Sequence, residues 1–421
     1  MRPLFRLDLN GLFAALLVFL VPMLLPFART AEVPVVIGAF VGALALPGRG
    51  ASLLRNPAVR GFVLATLAYF LAALISAVDA VASEKSWTTA LASVRLLLFG
   101  LGIMALCERA REHGVPARSL TRALGIAAAL PIAFWTLDAL VQIVTGYSLG
   151  GTLDADRLSG IFGADDLKLG PMLSTLAPLL LWPLLGRSRQ LLIAAYLAVL
   201  LVILLAGSRA GWVSFTVVSL AFAWRLAEGS KKRLSLWLGA GLVVAGIGAA
   251  LAYQFSPSFE VRVERTLRAG DGDADFALAG RVPIWTTAEN MVRAHPLNGV
   301  GVRGFRHAYA EYASADDPWV DPTSGIGAAH AHQLVLELMT ETGVIGLLLW
   351  VFGAVALLRV WRRTHAEPLA RAPWVALAVL LFPLNTHLAF YSSFLGMVLG
   401  WLMALACAQS MLNPREAGDG T

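Results

Sequence analysis

Residues 190–227 read QLLIAAYLAVLLVILLAGSRAGWVSFTVVSLAFAWRLA. Two apolar runs, 190–206 and 211–227, flank the short stretch GSRAG, which contains one arginine. A helix that crosses the hydrocarbon core of a bilayer needs roughly 17–25 mostly apolar residues. The stretch therefore predicts two transmembrane helices that are joined by a tight turn.

The composition of the whole chain agrees with this local reading. Of its 421 residues, 58% are hydrophobic and 14% are charged, and the mean hydropathy is +0.71. Soluble proteins contain about 25% charged residues. A chain so poor in charge cannot cover soluble domains of this total length, and the composition excludes disordered, collagen-like and nucleic-acid-binding proteins. We expect an all-α polytopic membrane protein, with residues 1–421 forming a single integral membrane domain.

The same length criterion predicts about twelve transmembrane helices. They cover approximately residues 10–27, 33–47, 61–79, 90–107, 122–145, 168–186, 190–206, 211–227, 233–254, 334–358, 373–390 and 392–410. Lys and Arg concentrate in alternate short loops, and such loops face the cytoplasm. This pattern predicts that both chain termini are cytoplasmic. Cys107 and Cys407 lie in apolar runs, which indicates neither a disulfide nor a metal site.

Two segments on the opposite side of the membrane are too long to be turns, namely 146–167 and 255–333. The longer one contains seven arginines and no lysine. Arginine binds phosphate and carboxylate through two parallel hydrogen bonds. Arg262, Arg265 and Arg268 recur every third residue, which places them along one side of a helix. The alternatives are a solvated helix face with ion pairs and a genome that favours arginine codons.

Arg281 begins a segment with helical periodicity. An apolar stripe recurs at Ile284, Trp285, Ala288, Met291 and Val292. The spacing predicts an amphipathic helix that either lies along the membrane surface or caps a cavity. Arg281 would then lie near the helix N-terminus, where the dipole favours an anion.

Residues 299–304 (GVGVRG) match the pattern G-x-G-x-x-G. No βαβ unit surrounds this segment and no strand precedes it, so we reject a dinucleotide-binding loop. The pattern instead predicts a turn at which two segments of backbone approach closely.

Two histidines precede a strongly apolar helix in the sequence Ala329-His330-Ala331-His332-Gln333. A histidine at the membrane surface is suited to general base catalysis near neutral pH. The alternatives are a metal ligand and a hydrogen-bonded surface histidine. The helix that follows carries Gly343 and Gly346. At about 100° per residue, His332, Gly343 and Gly346 share one face of it, and a second helix that packs closely on the glycines would hold His332 in place.

Arg209 lies between the two apolar runs quoted at the start. An arginine at membrane depth is costly and is by default a candidate functional residue. Its alternative role is to extend toward lipid head groups. Lys85 and Arg95 are candidates for the same reason.

Several of these motifs resemble one family of enzymes. Residues 207–211 are similar to the G-S-R-[GA] motif of the O-antigen ligase and polymerase superfamily. Gly280-Arg281 with Trp285, His295-Pro296-Leu297, Gly299-Val300-Gly301 and Phe305 resemble its large periplasmic loop. His332-Gln333, nine residues, Gly343 and Gly346 resemble the ligase pattern H-[NSQ]-x9-G-x-x-[GTY]. The run 382–392 is similar to the last periplasmic turn of some ligases, although Asn385-Thr386-His387 stands where some of them have an acidic residue.

The resemblance implies a bacterial inner-membrane glycosyltransferase of the type C membrane fold, with its site on the periplasmic side. Such ligases transfer a glycan from undecaprenyl diphosphate to a sugar of lipid A core, by an inverting mechanism without a metal or another cofactor. By motif, His332 would be the general base, and Arg209 and Arg281 would hold the donor diphosphate. Arg265 is a third candidate for the diphosphate, on the strength of the arginine row. His330, Lys85 and Gln333 are possible supporting residues.

Other functions stay open at this point. An O-antigen polymerase or a protein O-oligosaccharyltransferase would use the same donor and scaffold with another acceptor. A transporter of lipid-linked glycan belongs to a different class, but transporters place binding residues near the bilayer midplane. A structural or signalling membrane protein would leave the arginines and His332 without a role.

Overall fold

The computed structural model describes residues 7–152, 157–164, 166–255, 259–261, 263–264, 278, 280–365, 367–382 and 388–414. The helices are α1 (Leu9–Leu24), α2 (Glu32–Leu53), α3 (Pro57–Ser76), α4 (Ser83–Glu112), α5 (Ala117–Thr145), α6 (Leu169–Leu181), α7 (Arg189–Leu205), α8 (Arg209–Ala227), α9 (Lys231–Phe255), α10 (Arg281–Ala294), α11 (Phe305–Tyr312), α12 (Leu334–Arg362), α13 (Pro368–Leu380) and α14 (Ser393–Leu412). The sheet in this part of the chain is one antiparallel hairpin, with strands β1 (Tyr147–Ser148) and β2 (Gly151–Thr152).

Within the described ranges, eight helices are long and apolar enough to cross a membrane, namely α2, α3, α4, α5, α8, α9, α12 and α14. Four further apolar helices of 10–17 residues are α1, α6, α7 and α13. The predicted all-α polytopic membrane protein is confirmed. The number of twelve spans stays a prediction, as do the type C fold and the single membrane domain.

Polar residues that directly precede the apolar runs explain where several helices begin. The first turn of a helix has backbone amides without intrahelical partners, and a side-chain oxygen before the helix can accept from them. Asp8 Oδ1 accepts from Gly11 at the start of α1 at 2.9 Å. Asn56 precedes Pro57 at the start of α3, and Ser392 caps α14. The change from a capping residue to an apolar run therefore locates these helix starts.

The chain divides into two compact units. The first comprises Met1–Ala127, Gly280–Arg371 and Pro383–Thr421, and the second comprises Ala128–Ala279 and Ala372–Phe382. In the first unit, α4 packs against α2, α3 and α14, and α3 also packs against α12. In the second unit, α8 packs against α6 and α9.

A break in α12 at Gly343 determines how the large loop attaches to the helices of the first unit. Gly343 has φ 61° and ψ −166°, which no α-helix contains. The amides that follow the break donate to another segment of the chain. Val344 donates to the carbonyl of Pro296 at 2.9 Å, and Ile345 donates to the carbonyl of Leu297 at 3.0 Å.

The carbonyls that the break leaves without helical partners accept from the same segment, which we call the clasp segment (residues 296–301). The amide of Val300 donates to Thr340 at 2.8 Å, and the amide of Gly301 donates to Glu341 at 3.1 Å. The clasp segment therefore replaces the hydrogen bonds that a continuous helix would form. Buried backbone groups need such partners, so the break and the clasp segment depend on each other.

The other side of the clasp segment, together with the next residue Val302, contacts α3, α4 and the turn between them. The amide of Val81 donates to the carbonyl of Val300 at 3.1 Å, and Ser86 Oγ donates to the carbonyl of Val302 at 2.8 Å. The amide of Val302 donates to Ser76 Oγ at 3.3 Å. The clasp segment and Val302 thus join α3, α4 and α12 of the first unit.

The predicted close-approach turn at residues 299–304 is confirmed. Gly299 and Gly301 have φ values of 70° and 93°. A Cβ atom on Gly299 would meet the backbone of α12, and one on Gly301 would meet Ala80. The expectation that Gly343 packs against a second helix is wrong, because a Cβ at Gly343 would meet the backbone of Leu297 and Asn298 in a loop.

Gly343→Ala tests this attachment. We expect the substitution to destabilise the protein by about 2–5 kcal/mol, since it adds a positive-φ penalty and an overpacked contact. The measurement is the midpoint of thermal unfolding in detergent. Gly239→Ala in α9 is the matched control, because its Cβ would meet nothing within 4 Å. An unfolding midpoint for Gly343→Ala equal to that of the control would contradict the clasp.

Candidate functional site

Helix α10 contains the predicted apolar stripe. Ile284, Ala288 and Met291 are fully buried, and Trp285 is partly buried against them. They form the core of the large loop with residues from the clasp segment, from α11 and from the chain before α12, which are Val300, Phe305, Ala308, Tyr309, Ala328 and Ala331. The amphipathic helix is confirmed. The stripe packs against this core, and the position of the helix relative to the membrane surface stays a prediction.

Arg281 is the first residue of α10 and is half-buried. The preceding residue, Gly280, has φ 71°, which turns the chain sharply into the helix. Trp319 Nε1 donates to the carbonyl of Gly280 at 2.6 Å. The backbone before Arg281 is therefore held by a contact with the Trp319 side chain and not by the helix alone.

The two histidines lie next to each other in the segment before α12. The centroids of the His330 and His332 rings are 3.9 Å apart. His330 is buried and His332 is half-buried. Trp285 Nε1 donates to the carbonyl of Ala331 at 3.0 Å, which ties the histidine segment to α10. The described residues contain no group of three or more His, Cys, Asp or Glu that could hold a metal ion.

His332 has a φ of 54°, a value that a residue with a Cβ rarely adopts. Such backbone strain persists only where the surroundings hold it, and it concentrates at functional sites. Gln333 is the N-cap of α12, and its side-chain oxygen accepts from the amide of Leu336 at 2.5 Å. His332 therefore lies outside the helix. The prediction that it shares a helical face with Gly343 and Gly346 is wrong.

A buried aspartate holds the parts of this loop together. Asp317 Oδ2 accepts from the hydroxyl of Tyr309 at 3.1 Å and from Thr287 Oγ1 at 3.4 Å. Asp317 Oδ1 accepts from the amide of Trp319 at 2.8 Å. Burial, with the neighbouring Asp317 carboxylate, raises the pKa of Tyr309, so its hydroxyl keeps its proton and donates to Asp317. This network connects α10, α11 and the turn that contacts Gly280.

Arg209 lies in the second unit, at the first position of α8. The predicted turn is confirmed, since α7 ends at Leu205 and Ser208 Oγ accepts from the amide of Gly211 at 3.3 Å. Arg209 is half-buried. Trp212 Nε1, one turn later, donates to the carbonyl of Ile203 at 3.2 Å and closes the helical hairpin.

Some predicted residues cannot be placed. Arg265 lies outside the described residues, as do Arg262 and Arg268 of the same row. The turn Asn385-Thr386-His387 also lies outside them.

Lys85 lies in the first turn of α4 and lines two adjoining cavities of the first unit. Their volumes are about 580 and 680 Å³, and they share Lys85, Thr88 and Arg303. We call this space the basic cleft. The basic side chains that line it are Arg29, Lys85, Arg95, Arg303, Arg306 and His307.

Arg303 and Arg306 were not singled out from the sequence, although both lie in or next to the glycine-rich turn. Arg303 has φ 64°, so its backbone is strained like that of His332. A second feature that the sequence reading missed is the pair Glu337 and Glu341, one helical turn apart in an apolar helix. That spacing is a signal for charged residues inside a membrane protein.

Both glutamates are buried, and each contacts the backbone of another segment. Glu337 Oε1 accepts from the amide of Phe390 at 2.6 Å. The carboxylate of Glu341 lies near the backbone amides of Arg303 and Phe305 and near the Arg303 guanidinium. The pair therefore positions Arg303 and the chain before α14.

The structure thus groups the predicted residues in three places. His330, His332 and Gln333 are adjacent, and α10, which begins with Arg281, is tied to their segment. Lys85 lines the basic cleft of the same unit. Arg209 belongs to the second unit.

Asp317→Ala tests the support of this loop. We expect a local loss of about 1–3 kcal/mol, because Tyr309 and Thr287 lose their buried acceptor. Limited proteolysis with trypsin should then cleave about ten times faster within residues 281–306. Asp316→Ala is the matched control, because Asp316 is exposed beside Asp317 and its side chain takes no part in the network. Equal cleavage rates for the two variants would contradict the role of Asp317.

The comparison with known families supports the resemblance of the motifs. No curated protein matches the chain. The model of the O-antigen ligase family matches residues 193–351, which include Arg209, Arg281, Arg303 and the histidine segment. Members of this family are glycosyl-transfer enzymes of O-antigen and lipopolysaccharide biosynthesis. The match supports the assignment of this multi-pass membrane protein to the O-antigen ligase and polymerase superfamily.

Proposed function

We propose that the protein is an O-antigen ligase of the bacterial inner membrane. It transfers a glycan from undecaprenyl diphosphate to a sugar of lipid A core on the periplasmic face, and both chain termini are cytoplasmic. The observation that carries the proposal is the position of His332. It lies in a strained conformation directly before the N-cap of α12, inside the segment that matches the ligase family.

The reaction needs one base and one stabilised leaving group. His332 accepts the proton of the acceptor hydroxyl as that oxygen attacks the anomeric carbon of the donor sugar. A new glycosidic C–O bond forms, and the bond between the anomeric carbon and the diphosphate oxygen breaks. The electron pair of that bond leaves with undecaprenyl diphosphate. Attack opposite the leaving group inverts the anomeric configuration.

The leaving diphosphate gains negative charge, which positioned guanidinium groups stabilise. We assign this role to Arg209 and Arg281, with Arg265 as the third candidate. Each of the first two is the first residue of a helix, and the helix sets the direction of the backbone from which its side chain extends. Preorganised donors stabilise a transition state better than mobile ones because less reorganisation is needed during the reaction. His330 and Gln333 support the base by holding the backbone and ring beside His332.

The proposed reaction uses no metal or other cofactor. The polyprenyl tail of the donor needs an apolar surface, which transmembrane helices and the surrounding membrane lipids supply.

His332→Ala and Arg281→Ala test the assignment. Purified protein is given undecaprenyl diphosphate-linked glycan and lipid A core in the presence of EDTA. We expect kcat to fall by about a hundredfold or more for each variant, as for loss of a general base or of a transition-state donor. His332→Ala should leave the KM for the donor unchanged, because the base contacts the acceptor.

Two matched variants serve as controls for this assay. Arg293→Ala removes a 72% exposed arginine from the same helix as Arg281, and its partner is Glu289 one turn away. His113→Ala removes a 61% exposed histidine elsewhere. Both should keep wild-type activity. Transfer to another glycan chain or to a protein, with none to lipid A core, would overturn the ligase assignment. Loss of activity with EDTA alone would overturn the metal-free mechanism.

A further inference from the structure

The basic cleft is large enough for a saccharide. The residues that line it do not include those of the histidine segment. Its two parts, of about 580 and 680 Å³, fall within the range of roughly 300–1,000 Å³ that is typical of small-molecule sites. Hydroxyl side chains line it beside the charges, namely Thr88, Thr89, Ser392 and Ser393. Such groups offer hydrogen bonds to sugar hydroxyls.

The charges that line the cleft are mostly positive. Five cations, from Arg29, Lys85, Arg95, Arg303 and Arg306, accompany the two carboxylates of Glu32 and Glu84. Arg95 is paired with Glu32, from which its Nε lies 2.9 Å. Within the described part of the chain, neither Lys85 nor Arg306 forms an ion pair. These two cations therefore line the cleft together with Glu84 but without a direct ion pair in the described residues.

The charges that surround His307 indicate the same excess of positive charge. Partial burial lowers the pKa of His307, and the charges of Arg306, Lys85 and Arg303 lower it further. A site in which three cations disfavour a fourth is a site that favours an anion.

Arg303 is held at the cleft by contacts with α12. The buried Glu341 carboxylate lies near its amide and its guanidinium, and the neighbouring turn is part of the clasp. The strained φ of 64° at Arg303 is maintained by these contacts. Lys85 is carried by α4, whose start is bound to the same turn through Ser86 Oγ and the carbonyl of Val302 at 2.8 Å. The backbone positions from which Arg303 and Lys85 extend are therefore fixed before any ligand arrives.

We propose that the basic cleft binds a phosphorylated saccharide, in which Lys85 and Arg306 hold the phosphate and the hydroxyl-lined part holds the sugar. This inference rests on the proposed function, and it assigns the saccharide to the acceptor of the transfer. The cleft selects acceptors that carry a phosphate near the hydroxyl to be glycosylated. Lys85, Arg303 and Arg306 are thus specificity-determining residues, and none of them takes part in the proton transfer.

The test compares two acceptors, intact lipid A core and the same core after phosphatase treatment. Wild-type protein should use the phosphorylated acceptor with a kcat/KM at least ten times higher. The double variant Lys85→Ala, Arg306→Ala should lose most of this preference through a higher KM for the acceptor, while the KM for the donor stays the same. Lys85→Arg should keep the preference, because it keeps the charge.

Lys231→Ala, Arg225→Ala is the matched control, since it removes two exposed cations that do not line the cleft. An unchanged preference in the Lys85→Ala, Arg306→Ala variant would overturn the proposal. A higher KM for the donor, with an unchanged KM for the acceptor, would show that the cleft holds the donor diphosphate and would also overturn it.

Direct binding separates this proposal from the proposed function. Calorimetry measures the affinity of full-length protein in nanodiscs for phosphorylated core oligosaccharide without donor. Binding that Lys85→Ala, Arg306→Ala weakens tenfold or more supports the cleft even if no transfer occurs. Equal affinity of wild type and this variant would overturn the cleft, even if transfer proceeds.

Discussion

The exchange of hydrogen bonds between the clasp segment and the broken helix α12 is the contact on which the rest of the first unit depends. Gly343 ends one helical segment, and the four backbone groups that lose helical partners pair with residues 296–301. A loop that contacts a membrane helix only through side chains could shift along it. A loop that completes the helix's own hydrogen bonds has a fixed register, because any shift leaves buried amides and carbonyls unpaired. The large loop is thus attached to α12 through backbone hydrogen bonds in one register.

The positions of the charged residues around this attachment follow the free-energy cost of burying a charge. The buried carboxylates of Glu337 and Glu341 lie in the first part of α12, beside the clasp, where backbone amides and the charge of Arg303 stabilise them. Lys85 and Arg306 stay exposed at the cleft, where water lowers the cost of their charges. The first part of α12 runs from Leu334 to the break at Gly343. The strained His332 lies two residues before the start of this short helical segment, and the clasp lies at its other end.

Sequence reasoning predicted the features that local physics controls. Apolar run length predicted the transmembrane helices, and the 3.6-residue period predicted the buried stripe of α10. The glycine pattern predicted the close approach at residues 299–301. The prediction that His332 shares a helical face with Gly343 and Gly346 failed because it assumed one continuous helix. Gln333 instead caps α12, and Gly343 breaks it. The grouping of Lys85 with Arg303 and Arg306 could not be predicted, because it depends on backbone hydrogen bonds between segments more than 200 residues apart.

Hydrogen–deuterium exchange of the protein in nanodiscs tests the central claim most directly. The peptides to follow span residues 296–303 and 340–346, and residues 313–316 of the same loop provide the comparison. The account predicts that the amides of Val300, Gly301, Val344 and Ile345 exchange as slowly as those in the middle of α12. Exchange of these four amides at the rate of residues 313–316 would contradict the clasp, and with it the fixed position of the histidine segment and the basic cleft.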